Sequence, residues 1–310
     1  MSNSTLKYIG KRLVISLITL FVILMVLFLM VKFLPGSPIN NEKLSASARA
    51  AIEAQYGLDQ PIPVQFVRYI QNMLTGDFGV SFNLYKDMQV SSLVGSAAKL
   101  SMIYGLCAVI IGTVIGMFLG VFAALHKNTI ATVISVIGVS IPSFVFAMLI
   151  LLLFASKLRL LPTSYSSSNA IKSSIMPILA LSVGVIANVA RFTRTEMVSV
   201  LTSEYMTLAK AKGLDRKTLI FKHALRNALI PVITILGPIL VNLMTGTMVV
   251  EKICSVPGLG KLLINSILSN DYNIILSCSF LYAAMYIFMM LIIDISYGII
   301  DPRIRLGKDD

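Results

Sequence analysis

Charge is scarce in this chain of 310 residues. Asp, Glu, Lys and Arg together make up 13% of it, with 14 acidic residues, three cysteines and two histidines. A soluble domain is about a quarter charged, so a water-soluble globule is excluded. Cys107 and Cys278 fall inside apolar runs and Cys254 stands in a more polar segment, so no disulfide framework is implied. His126 and His223 have no Cys, Asp or Glu at ligand spacing, which argues against a metal site. Nor can they complete a Ser/His/Asp set, and no H-E-x-x-H occurs. The "GLGK" at 258–261 lacks the first glycine of a phosphate loop and has Leu262 where Ser or Thr would hold magnesium. No catalytic, cofactor-binding or metal-ligating residue is assigned, and any ATP must be bound by another chain.

What fills the space is hydrocarbon. Hydrophobic residues make up 56% of the chain, and charge is absent from 13–31, 100–125, 128–156, 173–190, 227–250 and 272–293. About 20 apolar residues in a helix cross a hydrocarbon core of about 30 Å. Backbone groups in lipid must satisfy one another, so each window is expected to be a helix. The expectation is an all-α membrane protein of six transmembrane helices: one in 1–33, then five near 100–125, 130–156, 174–190, 229–250 and 273–299. The first follows Lys7, Lys11 and Arg12 but is longer than the core of a secretory signal and lacks a small-x-small site, so it reads as a retained anchor.

The net charge of +12 reports topology rather than nucleic-acid binding. Fifteen Lys/Arg fall in the N-terminus, 126–129, 191–228 and 300–310, against ten in the longer segments 34–99, 157–174 and 251–273. The positive-inside rule then places both termini and 191–228 in the cytoplasm. Segment 34–99 is too long for a bare loop and reads as an external module. Pro35 and Pro38 stop the first helix, and an amphipathic helix starts near Pro63 with Val64, Val67, Ile70 and Leu74 on one face. Pro142 is expected to kink the third span, and Pro257, Gly258 and Gly260 to fold a tight or re-entrant external loop. Asn188, Asn242 and Thr245 are polar residues within spans, and either glue helices or line a pathway. Asp294, about seven residues from the end of the sixth span, reads as interfacial or interhelical, and the shortage of further buried carboxylates weakens an ion-coupled transporter.

One basic stretch interrupts this apolar sequence: "EYMTLAKAKGLDRKTLIFKHALRNALIPVIT", from 204 to 234. Glu204 to Lys212 holds good helix formers, with Tyr205, Leu208 and Ala209 on one stripe. Gly213 suits a left-handed helix stop, Leu214 follows, and Asp215 can cap a second helix from 216. Phe221, Ala224, Leu225 and Ala228 share a face of that helix. A helix lying on lipid needs no elbow, so the break implies docking into a shaped partner.

This elbow resembles the cytoplasmic coupling loop of bacterial ABC-importer permeases. Ala209, Gly213 and "LIP" at 229–231 align with the family's E-A-A pattern, while Thr207 and Leu208 stand where its Glu and first Ala would be. The peptide-permease form is closer. Its Y-x-x-x-A-x-A-K-G is met by Tyr205, Ala209, Ala211, Lys212 and Gly213, and its H-A-x-R-N-A-L-x-P by 223–231. "YGLDQPIPVQF", "GDFGVSF", "VPGLG" and "DPRIR" also resemble that branch, as does "FLPGSP", with Ser37 replacing an acid. The resemblance implies a type I ABC-importer permease fold, the first of the two permeases of an oligopeptide or dipeptide system. It further implies a second permease subunit, two cytoplasmic ATPases that bind ATP and magnesium, an external substrate-binding protein, a peptide substrate and a bacterial plasma membrane. Glu204, Tyr205, Ala209, Ala211, Lys212, Gly213, Leu214 and Asp215 would then form the ATPase-coupling loop. Nickel or another small ligand in the same family, a stand-alone secondary transporter, and a membrane scaffold or receptor are the other classes open to this sequence.

Overall fold

A computed structural model describes residues 3–33, 54, 57, 59–126 and 141–300. The regular elements are helices: α1 (Asn3–Lys32), α2 (Ile62–Thr75), α3 (Val90–Leu125), α4 (Ser143–Ile150), α5 (Ala170–Leu201), α6 (Glu204–Ala211), α7 (Leu225–Ile253), α8 (Leu259–Leu268) and α9 (Tyr272–Ile300). Two π-helical turns, Leu151–Lys157 and Thr218–Ala224, extend α4 and lead into α7. The β pairing among the described residues is an isolated antiparallel bridge between Val80 and Gln89.

Among the described residues, four helical segments are long and apolar enough to cross a bilayer: Ile9–Lys32, Val90–Leu125, Ser167–Leu201 and Tyr272–Ile295. A fifth is broken, its halves Thr218–Leu229 and Pro231–Leu243 bent by 44°. Pro231 stands at the break, where its missing N–H and its ring interrupt the hydrogen-bond ladder. The window at 128–156 contributes Ser143–Lys157, shorter than a full span, and residues 127–140 lie outside the described chain. Pro142 is extended (φ −57°, ψ 139°) and stands just before α4; the chain on the other side of the expected kink lies outside the described residues. Residues 34–38 of the "FLPGSP" motif, Pro35 and Pro38 included, and the "DPRIR" motif also lie outside the described residues.

The chain divides into two compact units. The first comprises residues 1–100 and 257–310. Its core joins Leu24, Phe28 and Val31 of α1 to Tyr69 and Met73 of α2 and to Tyr272, Ile275 and Leu276 of α9. A second cluster joins Val90, Val94, Ala97 and Ala98 at the start of α3 to α8 and α9. Asp271 ties the "GDFGVSF" loop down. Its buried carboxylate accepts hydrogen bonds from the Ser81 hydroxyl (2.6 Å) and the backbone N–H groups of Asn83 and Leu84 (3.0 Å each). At the other end of α9, Asp294 pairs with Arg12 of α1 at 3.2 Å, so this acid is interhelical.

The amphipathic helix of this unit turns differently from the sequence pattern. Tyr69 and Met73 are buried and Phe66 and Ile70 pack beside them, while Val64, Val67 and Leu74 are exposed. Aromatic rungs on α1 select the face: Phe66 meets Phe21 and Phe28 with ring centroids 5.6 and 5.4 Å apart, and Phe28 stacks on Tyr69 at 5.5 Å. Aromatic pairs of this kind add to what area burial alone contributes.

The second unit, Ser101–Val256, is built on a close crossing of α3 and α5. Gly112, Gly116 and Gly120 repeat at every fourth residue of α3 and face Ser182, Val185, Ile186, Val189, Ala190 and Thr193. A Cβ on any of them would come within 2.5–2.8 Å of an α5 atom, so the two backbones approach more closely than side chains permit. Val185 and Val189 of α5 pack on Val232 of α7. Glu251, fully buried near the end of α7, accepts a 2.6 Å bond from the Ser101 hydroxyl.

Candidate functional site

The basic stretch folds as two helical pieces meeting at a glycine. Ser203 precedes α6 in extended conformation, and Glu204 and Lys210 sit at the ends where the helix dipole favours their charges. Gly213 has φ +78°, a left-handed conformation that a side chain would strain, and its N–H returns to the Lys210 carbonyl at 3.0 Å. The Asp215 carboxylate then accepts hydrogen bonds from the backbone N–H groups of Lys217 (3.1 Å) and Thr218 (3.2 Å), capping the next helix. The Thr218 hydroxyl and backbone N–H, followed by that of Lys217, hold this carboxyl below its ordinary pKa.

Burial corrects both expected stripes. In α6 the anchor is Met206, fully buried, while Tyr205 and Leu208 are exposed and Ala209 is half-buried. In the next piece Leu219, Ile220, Ala224 and Ala228 are buried, Leu225 packs beside them and Phe221 is 63% exposed. The π turn over Thr218–Ala224 is the cause. Its wider winding breaks the 3.6-residue period on which the stripe rests, and turns Phe221 outward. These residues pack with Met197 of α5 and Ala124 of α3, and the Asn227 amide donates to the Tyr205 hydroxyl at 2.8 Å.

The elbow is thus held from within and bare outside. Glu204, Tyr205, Ala211, Lys212, Gly213, Leu214 and Asp215 are all exposed. Leu208 and Phe221 expose apolar surface beside the exposed Lys210, Arg216, Lys217 and Lys222.

Asn188 and Asn242 come together elsewhere in the same unit. Both line a cavity of about 400 Å³ among α4, α5 and α7, with Pro142, Ser143, Gly184 and Pro238. Its lining carries no charged side chain. The Asn188 amide donates to the Gly184 carbonyl one turn back at 2.9 Å, so helix bonding and cavity lining coincide in this residue. Thr245 is on α7, with its side chain outside what is described.

A family model described as "Binding-protein-dependent transport system inner membrane component" matches residues 112–306, and its N-terminal companion matches residues 5–87. The chain belongs to this family. Among relatives of this inner membrane component, the dipeptide transport system permease protein DppB of Lactococcus lactis is 41% identical over 304 residues, covering 97% of this chain and 99% of the relative. The oligopeptide transport system permease protein OppB of Salmonella typhimurium is 41% identical over 305 residues with the same coverage. A crystal structure of an amino acid ABC transporter shares the fold, with TM-score 0.52 and 16% identity over 69% of this chain and 94% of that one. DppB and OppB are named as permease proteins of transport systems.

Sequence reasoning left several supports of the site unassigned. Met206 carries no pattern that separates it from its neighbours. The glycines of "GTVIGMFLG" were legible as a small-residue repeat, and Asp271 as a carboxylate at a helix start.

Proposed function

We propose that this inner membrane component is one permease of a peptide importer, the first of two, and that it forms half of the translocation pathway. It crosses the bacterial plasma membrane six times with both termini in the cytoplasm, the third crossing made by 130–156. The elbow from Glu204 to Asp215 is the seat of a cytoplasmic ATPase. A second permease, two ATPases and an external substrate-binding protein complete the assembly. The ATP and magnesium sites belong to the ATPases.

The carrying observation is the elbow itself, anchored through Met206 and Leu219 while its outer surface offers both apolar and basic side chains. ATP-driven movement of the ATPases would push on Tyr205, Leu208 and Phe221. The buried side of the elbow would pass that displacement into α5 and α7. The uncharged cavity on those helices then suits peptides of varied sequence, since none of its lining side chains selects charge. Identity near 40% to dipeptide and oligopeptide permeases supports the substrate class.

Reconstitution tests the reading. Vesicles holding the chain, its partner permease, both ATPases and loaded binding protein should accumulate labelled peptide only with ATP on the ATPase side. The chain alone should accumulate none. Gradient-driven uptake by the lone chain would overturn the assignment.

A further inference from the structure

Helix α2 lies in a segment that its polar surroundings assign to the external water, yet its packing partners lie at membrane depth. Arg12, paired with Asp294, and Lys32 mark the ends of the uncharged part of α1. They stand twenty positions apart along the helix, about 30 Å at 1.5 Å per residue, which matches the hydrocarbon thickness. Phe28 is then about 6 Å and Phe21 about 16 Å below the Lys32 level. Phe66 of α2 packs its ring on both. An external helix cannot reach those partners without entering the bilayer.

Three sectors of α2 bear on its surroundings, besides a mixed exposed one of Val64, Gln71 and Thr75. Phe66, Tyr69 and Met73 face the protein core. Gln65, Arg68 and Asn72 form a polar sector that lines a small cavity of about 120 Å³, together with Lys32, Asp77 and Asn273 and with apolar groups such as Phe28 and Phe82. Pro63, Val67 and Leu74 form the third sector, an apolar stripe at helical spacing, with Val67 55% and Leu74 79% exposed. Two apolar sectors exceed what a helix docked on protein alone requires. The outward side of α1 at the same level is apolar and exposed too, at Val22, Met25, Val26 and Met30.

We propose that α2 is sunk into one leaflet beside α1, with acyl chains covering the Pro63–Val67–Leu74 stripe as they cover α1. Under the orientation proposed above this is the outer leaflet; the embedding itself does not depend on that orientation. The bound partner is therefore lipid hydrocarbon, and this helix of the external segment is a membrane element.

The chain contains no tryptophan, so a single introduced indole reports alone. Full-length Val67→Trp and Leu74→Trp variants would be placed in phosphatidylcholine vesicles whose acyl chains are brominated at graded depths. Val26→Trp on α1 serves as the lipid-facing reference, and unchanged elution of the purified variants checks their folding. Both α2 variants should lose most of their emission to brominated lipid, as the reference does, and little to aqueous iodide. Val67→Trp should respond to deeper bromines than Leu74→Trp, since seven residues separate them along a helix whose Phe66 end packs lower on α1. Blue-shifted emission insensitive to brominated lipid would mean that protein covers the stripe, residues 34–53 of this chain included. Quenching by iodide would mean water covers it. Either result overturns the proposal.

Discussion

Gly213 is where a single side chain decides whether the elbow keeps its shape. A Cβ there meets no atom within 4 Å, so space is not the obstacle. Backbone conformation is: a residue other than glycine at φ +78° is strained by about 1–2 kcal/mol, and a β-branched one by more. Gly213→Val should therefore insert and assemble normally while ATP-driven peptide uptake by the complete importer falls several-fold. Gly213→Asn, whose side chain tolerates the left-handed region, should retain most of the uptake. Equal losses in both variants would show that the surface, not the backbone, is what position 213 supplies. Asp215 acts two residues later by a different route. A carboxyl whose folded pKa is lowered contributes stability above its ordinary pKa and loses it as pH falls through the lowered value. Its cap should accordingly stay intact from about pH 6 to 8, well above that range. Hydrogen exchange of the peptide containing 216–220 should show no pH-specific opening there beyond intrinsic chemistry. Asp215→Ala should accelerate that exchange at neutral pH, and Asp215→Ser should largely restore protection.

Among the elements, the α3–α5 crossing tolerates the least change. Gly116 stands where a Cβ would lie 2.8 Å from the Ile186 carbonyl and from Val189 Cβ, so backbone must move to admit a methyl group. Overpacking of this kind costs about 1–3 kcal/mol. Gly116→Ala should lower the thermal unfolding midpoint of the purified chain. Gly95→Ala, on the same helix with nothing within 4 Å, should leave it unchanged or raise it through better helix propensity. A matching drop in both would remove close approach as the reason for the glycine repeat. What the sequence makes legible at this scale follows from how local the cause is. Gly213 and Asp215 were readable because a helix stop and a cap depend on residues one to three positions away. The buried face of α2 was not, because Phe21 and Phe28, forty residues distant, choose Phe66 and Tyr69 over Val64 and Val67. Phe221 was misplaced for a related reason. A π turn leaves the apolar pattern intact but changes the angle between successive residues, which no count of periodicity can detect.

At the scale of the whole molecule, charge is kept away from the cavity that Asn188 and Asn242 share. The cavity lining holds two amides, one serine and otherwise apolar groups and glycine, and none of the chain's 26 Lys and Arg residues. A neutral amide can meet a peptide backbone without preferring acidic or basic side chains. A carboxylate in the same place could not. Within an apolar surround, an ionised group gains several kcal/mol from an opposite charge and is penalised beside a like one. If peptides pass this cavity, Asn188→Asp should bias transport toward cationic peptides, with the ratio of lysine-rich to glutamate-rich uptake rising about tenfold for about 1.4 kcal/mol of discrimination. Asn188→Ala removes the amide without adding charge and should leave that ratio unchanged, even if the overall rate falls. The competition is measured in the complete importer with a binding protein that accepts both peptides, so that selection outside the membrane is common to all variants. A ratio that does not move in Asn188→Asp, with uptake and assembly intact, would place the peptide route away from this cavity and leave the two asparagines as helix-bonding residues alone.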